Sequence, residues 1–204
     1  MVEEAGRQLT RTEPGTAPTA ASLEGAIARF RAEHAAEPTG AALRYHEALA
    51  RFVGELAPDA SPALRLAAWC QHLGRHALPR SAYPAGLAGY KRWRAAAALE
   101  HARQARAILD EAGVDPTVGA RVGELLVKKG LRSDPEVQTL EDAVCLTFLE
   151  VDLAAFAAKH PDDKLIDILR KTWAKMSPRG HARALELAQG LPPALADVVA
   201  RAVS

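Results

Sequence analysis

Between Cys70 and Arg94 the chain reads CQHLGRHALPRSAYPAGLAGYKRWR, a polar and aromatic block in an otherwise alanine- and leucine-rich sequence. Aromatic residues make up only 5% of the chain, yet Trp69, Tyr83, Tyr90 and Trp93 fall within this block or at its edge. With them come His72, His76, Arg75, Arg80, Lys91, Arg92 and Arg94. Guanidinium forks bind phosphate or carboxylate bidentately, and Tyr or Trp rings stack on flat ligands. A packed core has no need of so many bases, imidazoles and amphipathic rings, so the block reads as a ligand site for a small anion. Arg75, Arg80, Tyr83, Tyr90, Trp93 and Arg94 are the expected ligand contacts. Arg80 stands in a Pro-bounded loop and Arg94 on an inward helix face.

Three further groups could join them. His72 sits at the border of an apolar stripe of Leu66, Cys70 and Leu73, where an imidazole is either a satisfied core group or a ligand. His101 shares a helical stripe with Arg94, Ala97, Ala98 and Ala105, small residues that leave room for a guest or for close helix packing. Glu141 and Asp142 are adjacent carboxylates, which a helix splays about 100° apart. Asp142 heads a stripe with Cys145, Leu149 and Phe156. A buried carboxylate there is either paired with a base such as Arg94 or His101, or holds a metal.

These groups must be positioned by helices. No segment alternates as a strand does, whereas apolar residues recur at helical spacing throughout. Helices are expected over residues 22–37 and 40–56. Ser61-Pro62 signals a third start, an N-cap followed by Pro at N1, and that helix is expected to run to about His76. A loop with Pro79 and Pro84 leads to a long helix carrying Tyr90 through Leu109. Another covers 116–129, and Asp134-Pro135 opens one holding the apolar run Ala143–Leu149. Leu165, Ile168, Leu169, Thr172 and Met176 stripe the next. Ser177-Pro178 caps one more, and a last short helix follows Pro192-Pro193. The fold class is all-α: a single-domain helical bundle over 21–204, preceded by a disordered tail over 1–20.

Composition bounds the function. The 204 residues suit one core of ordinary size. Lys plus Arg total 26 and Asp plus Glu 25, and that balance argues against an extended nucleic-acid footprint. The two cysteines, Cys70 and Cys145, lie in apolar helical context and form no CxxC pair, as reduced thiols of a cytoplasmic protein would. No apolar run approaches the roughly 20 residues a membrane helix needs. The polar first twenty residues lack the apolar segment of a secretory signal. The Ala, Arg, Gly and Pro bias suggests a GC-rich bacterial genome.

The motifs CQHLGR, Pro79-Arg80, Tyr83-Pro84, GYKRWR, His101-Ala102, QTLEDAVCLTFLE and KTWAKMSPRGHARALEL together resemble the helical family known as domain of unknown function 4202, over roughly residues 40–187. The chain departs from that pattern at His76, where an aromatic residue is usual, and at His46. A second resemblance is to the HD-type helical metal phosphohydrolases, which take metal ligands from successive helices. Here AAWCQHLGR places Gln71-His72 where their His-Asp dyad stands. The resemblance implies an HD-like fold with a divalent metal ion held by His46, His72 and Asp142, although Gln is a poor ligand for a transition metal. Fragments resembling class I aminoacyl-tRNA synthetase signatures, HLGR and KMS, lack the parallel nucleotide-binding sheet those signatures need.

Three functions follow as expectations. The first is a metal-dependent hydrolase of a small phosphorylated compound, with His101 and Glu141 moving protons and metal-bound water as nucleophile. The second is a binding module for a nucleotide-like or other anionic metabolite on a degenerate HD-like fold. The third is a protein- or RNA-binding surface centred on the basic loop, whose RNA form the balanced charge disfavours. Oligomeric state is left open.

Overall fold

Apolar residues at three- and four-residue spacing become helices throughout residues 20–73 and 78–203, the part of the chain this computed structural model describes, and no strand occurs among those residues. The tail expected over 1–20 lies outside them except for Ala20, and so do Arg75 and His76. In chain order α1 spans Ala20–Ala35, α2 Ala41–Leu56, α3 Pro62–Cys70 and α4 Gly86–Glu111. Then come α5 (Pro116–Leu126), α6 (Pro135–Thr147), α7 (Leu153–Ala157), α8 (Asp162–Trp173), α9 (Pro178–Gln189) and α10 (Pro193–Val203). A 3-10 turn, Arg80–Ala82, precedes α4, and a π turn, Phe148–Asp152, joins α6 to α7.

The start signals act as their chemistry dictates. Ser61, Asp115, Asp134 and Ser177 each accept a backbone N–H of the first turn while Pro occupies N1, where no donor is required. Seven of the nine residues of α3 are buried, because α1, α2, α4, α5 and α6 all pack around it. The buried apolar side chains from Leu23 to Ala202 form one contiguous cluster, with Phe30, Phe52, Leu66 and Leu146 at its centre. Among the described residues no helix is long and apolar enough to cross a membrane.

Two expectations are corrected. The third helix ends at Cys70, not near His76, because His72 turns into the left-handed region at φ 62°. His72 therefore stands past the helix end and not on its face. The run Ala143–Leu149 is largely buried, as expected, but Val144 and Phe148 are only half-buried and face a cavity.

Candidate functional site

The chain makes a turn after Cys70 because three imidazoles hold it there. The last carbonyls of a helix lack intrahelical donors and carry partial negative charge. Here His34 Nε2 from α1 donates to Trp69 O at 2.8 Å, His46 Nε2 from α2 meets Gln71 O, and His101 Nδ1 from α4 meets Leu73 O. Histidines on three helices thus form a collar around the C-terminus of α3. The rings of His34 and His46 stack, 3.5 Å between centroids. Burial pushes His46 down to about 4, and the neighbouring His34 adds to that shift, although two backbone carbonyls at its ring partly offset it. His34 is lowered too, again mainly by burial. Both are neutral near pH 7.

This collar presents Gln71 and His72 to a cavity of about 320 Å³, within the range of small-molecule sites. Its α4 wall supplies Tyr90, Trp93, Arg94 and His101, with Ala97 and Ala98 between them leaving space. The opposite side is Lys128 beyond α5, Glu141, Val144 and Cys145 on α6, Phe148 in the π turn, and Lys175 beyond α8. His72 meets the His101 ring edge-on at 6.0 Å. Trp93 Nε1 donates to Leu78 O at 2.9 Å, fixing the ring against the loop that precedes it. The Arg94 guanidinium lies 6.0 Å from the Tyr90 ring and makes neither a hydrogen bond nor an ion pair among the described residues.

Glu141, only 3% exposed, is held by Lys128 Nζ on one oxygen, with Lys175 Nζ 3.7 Å from the other. A buried carboxylate requires such partners. The acid expected to shuttle protons is therefore the counter-ion of two lysines. Cys145 also lines the cavity, but burial, with Glu141 beside it, pushes its thiol up to about 12, so it is no thiolate at neutral pH.

Irregular backbone gathers at this site. Lys128, at φ 57°, joins His72 in the left-handed region, so two of the three described non-glycine residues with positive φ line the cavity. The π turn contributes Phe148, and such turns and strained residues recur at functional sites. Beyond His72, Val144 and Phe148, a shallower hollow of about 430 Å³ continues past Tyr45 and Phe156.

The structure brings His72, Tyr90, Trp93, Arg94, His101 and Glu141 to one cavity, and it leaves other expected residues elsewhere. Arg80 donates to Tyr83 O at 2.9 Å and Gly86 O at 3.4 Å, so it ties the loop together, and neither it nor Tyr83 lines the cavity. Trp69 is core, its ring beneath the Arg31 guanidinium. The metal set does not converge. Both ring nitrogens of His46 face backbone carbonyls, Ala42 O at 2.6 Å and Gln71 O.

Asp142 is committed to another task. It accepts from Ser177 N at 2.9 Å, from the Ser177 hydroxyl, and from Gln138 Nε2 at 3.0 Å. It thus supports the N-terminus of α9, where negative charge is favoured, and pairs with neither Arg94 nor His101. Among the described residues no three His, Cys, Asp or Glu side chains are arranged to hold a metal ion. A divalent ion bound by His46, His72 and Asp142 does not fit these donors, and no chemistry is derived through one.

Lys128, Lys175 and Gln71 line the cavity but were not among the expected site residues. Lys175 had a signal: two residues before the Ser177-Pro178 cap, it must lie on the turn between α8 and α9. Gln71 was marked only by standing with His72 in the dyad position of the HD-type resemblance, not as a residue of a cavity wall.

No curated protein and no solved structure matches the chain. The family model of the domain of unknown function (DUF4202) matches residues 24–199, and the chain belongs to that family.

Proposed function

We propose that the cavity binds a small phosphorylated compound. One observation carries this reading: three cationic side chains, Arg94, Lys128 and Lys175, face one hollow against a single carboxylate, Glu141. Counting Arg94, Lys128 and Lys175 against Glu141, the wall therefore holds two positive charges in excess. Arg94 is exposed and Lys175 half-exposed, so the excess is solvated, and the positive potential of the hollow attracts an entering anion. A phosphate monoester carries −1.5 to −2 at pH 7 and offers three acceptor oxygens to guanidinium and ammonium donors. Tyr90 and Trp93 supply an amphipathic wall for the rest of the ligand.

The binding reading is preferred to the metal-dependent hydrolase because of what the donors already do. His46 is spent on carbonyls, Asp142 caps α9, and both oxygens of Glu141 face lysines. A protein- or RNA-binding surface fits a concave site less well.

Arg94 gives the cleanest test, since no ion pair of the described fold depends on it, whereas removing Lys128 would strand a buried carboxylate. Calorimetric titration of the full chain with inorganic phosphate and pyrophosphate should show saturable binding, accompanied by a change in Trp93 fluorescence. Arg94→Ala should weaken it about tenfold, the value of one lost charge-assisted contact, with Tm unchanged. Absence of binding by either anion would remove this reading.

A further inference from the structure

One helical wall runs past the end of the anion-binding cavity. Glu141, Val144 and Phe148 follow one another at turn spacing along α6 into the π turn, and all three line that cavity. Val144 and Phe148, with His72, also line the shallower hollow of about 430 Å³, so the two spaces share a border. The wall continues through Asp152, at the end of the π turn, to Phe156 on α7, and Tyr45 of α2 joins the lining.

Four of the eight residues around this second hollow carry rings: Tyr45, His72, Phe148 and Phe156. The chain is only 5% aromatic, so that density is selective. All four are half-buried, and they meet in pairs, Tyr45 with His72 at 5.4 Å and Phe148 edge-on with Phe156 at 5.8 Å. Half-exposed rings around one concave space suit a flat guest, held by offset or edge-to-face contact. The charged side chains here, Asp152 and Lys159, balance, so this hollow does not draw the anion as the first one does. A carboxylate and an ammonium beside rings suit a guest with donors and acceptors at its edge, as a nucleobase has.

Spacing constrains the guest further. Lys128 and Lys175 both reach Glu141, which places the anion toward that end of the wall. From Glu141 to Phe148 the helix rises about 10 Å. A phosphate joined directly to a ring is too short for that separation, so the ligand needs a spacer such as ribose. We propose, building on the anion-binding reading, that the ligand is a nucleoside monophosphate whose base occupies the ring-lined hollow while its phosphate lies among Arg94, Lys128 and Lys175. Its sugar crosses the border at His72. Every base has a π face, so the rings select the class of ligand and not one base.

The test compares AMP, GMP, CMP and UMP with ribose 5-phosphate, which keeps the anion and sugar without the base, by calorimetry on the full chain. At least one nucleotide should bind about tenfold more tightly than ribose 5-phosphate. Phe156→Leu and Tyr45→Leu keep apolar bulk without the ring, and neither residue lines the anion cavity. Each should narrow that ratio severalfold and leave ribose 5-phosphate affinity unchanged. Equal affinities for nucleotides and ribose 5-phosphate, or a ratio that survives both variants, would overturn the proposal and leave anion binding intact. So would n-hexyl phosphate binding as tightly as the best nucleotide, since the hollow would then take any apolar group. Failure of every phosphate, inorganic phosphate included, would instead defeat the anion-binding reading, and this one with it. Should one variant not fold, the other and the comparison in the natural protein decide.

Discussion

His72 lines the cavity from a left-handed backbone at φ 62°, and Lys128 does the same at φ 57°. An L-residue there costs about 1–2 kcal/mol, which glycine avoids. Helix ends commonly use glycine for this turn, so a histidine at this place is retained against local stability. His72→Gly should raise the unfolding free energy by about 0.5–1 kcal/mol and weaken phosphate binding, as read by urea denaturation and calorimetry. A less stable variant would mean that the ring contributes more to the fold than its backbone costs.

At this scale much of the site was legible. An unusual local density of His, Arg and aromatic residues pointed to His72, Tyr90, Trp93 and Arg94, which line one cavity. His46 and Asp142 misled because their types suit a metal. Their actual partners, the Gln71 carbonyl just past α3 and the N-terminus of α9, are 25 and 35 residues away in the chain.

At the scale of elements, the Ser-Pro and Asp-Pro pairs located helix starts well, since the N-cap and its proline act within one turn. The end of α3 was placed six residues late. No local signal stops it at Cys70; the stop depends on imidazoles from α1, α2 and α4. The junction of α6 and α9 is another product of long-range packing. A Cβ on Gly180 would come within 2.7 Å of Asp142 Cγ and 2.8 Å of its Oδ1. The small residue lets α9 settle over the buried carboxylate. Gly180→Ala should therefore destabilise the protein by about 1–3 kcal/mol, measured as a lower urea midpoint with unchanged slope. An unaltered midpoint would show that Asp142 moves aside without loss.

For the molecule as a whole, the collar sets a dependence on pH. Burial lowers His34, and takes His46 to about 4 from an ordinary value of 6.5. Between those two values the unfolded chain binds more protons than the folded one, so stability falls as pH drops through this window. Above about 6.5 the contribution is complete and the curve is flat. His46 alone accounts for about 3 kcal/mol across the window. The lowered carboxylates Glu55 and Asp134 act only below about 4.5, so the decline from pH 6.5 to 5 belongs to the histidines. Thermal unfolding across that range should show Tm falling steadily; a constant Tm would mean that the collar protonates without strain.

What the chain determined unaided was what acts within a few residues: helical periodicity, capping pairs and a block too polar and aromatic for core. Those effects need no partner from elsewhere. Which charges share a hollow, which histidines are committed to backbone carbonyls and which carboxylate supports another helix were decided by packing. Each depends on groups that meet only when separate helices close around α3, and burial then changes what the same side chains can do.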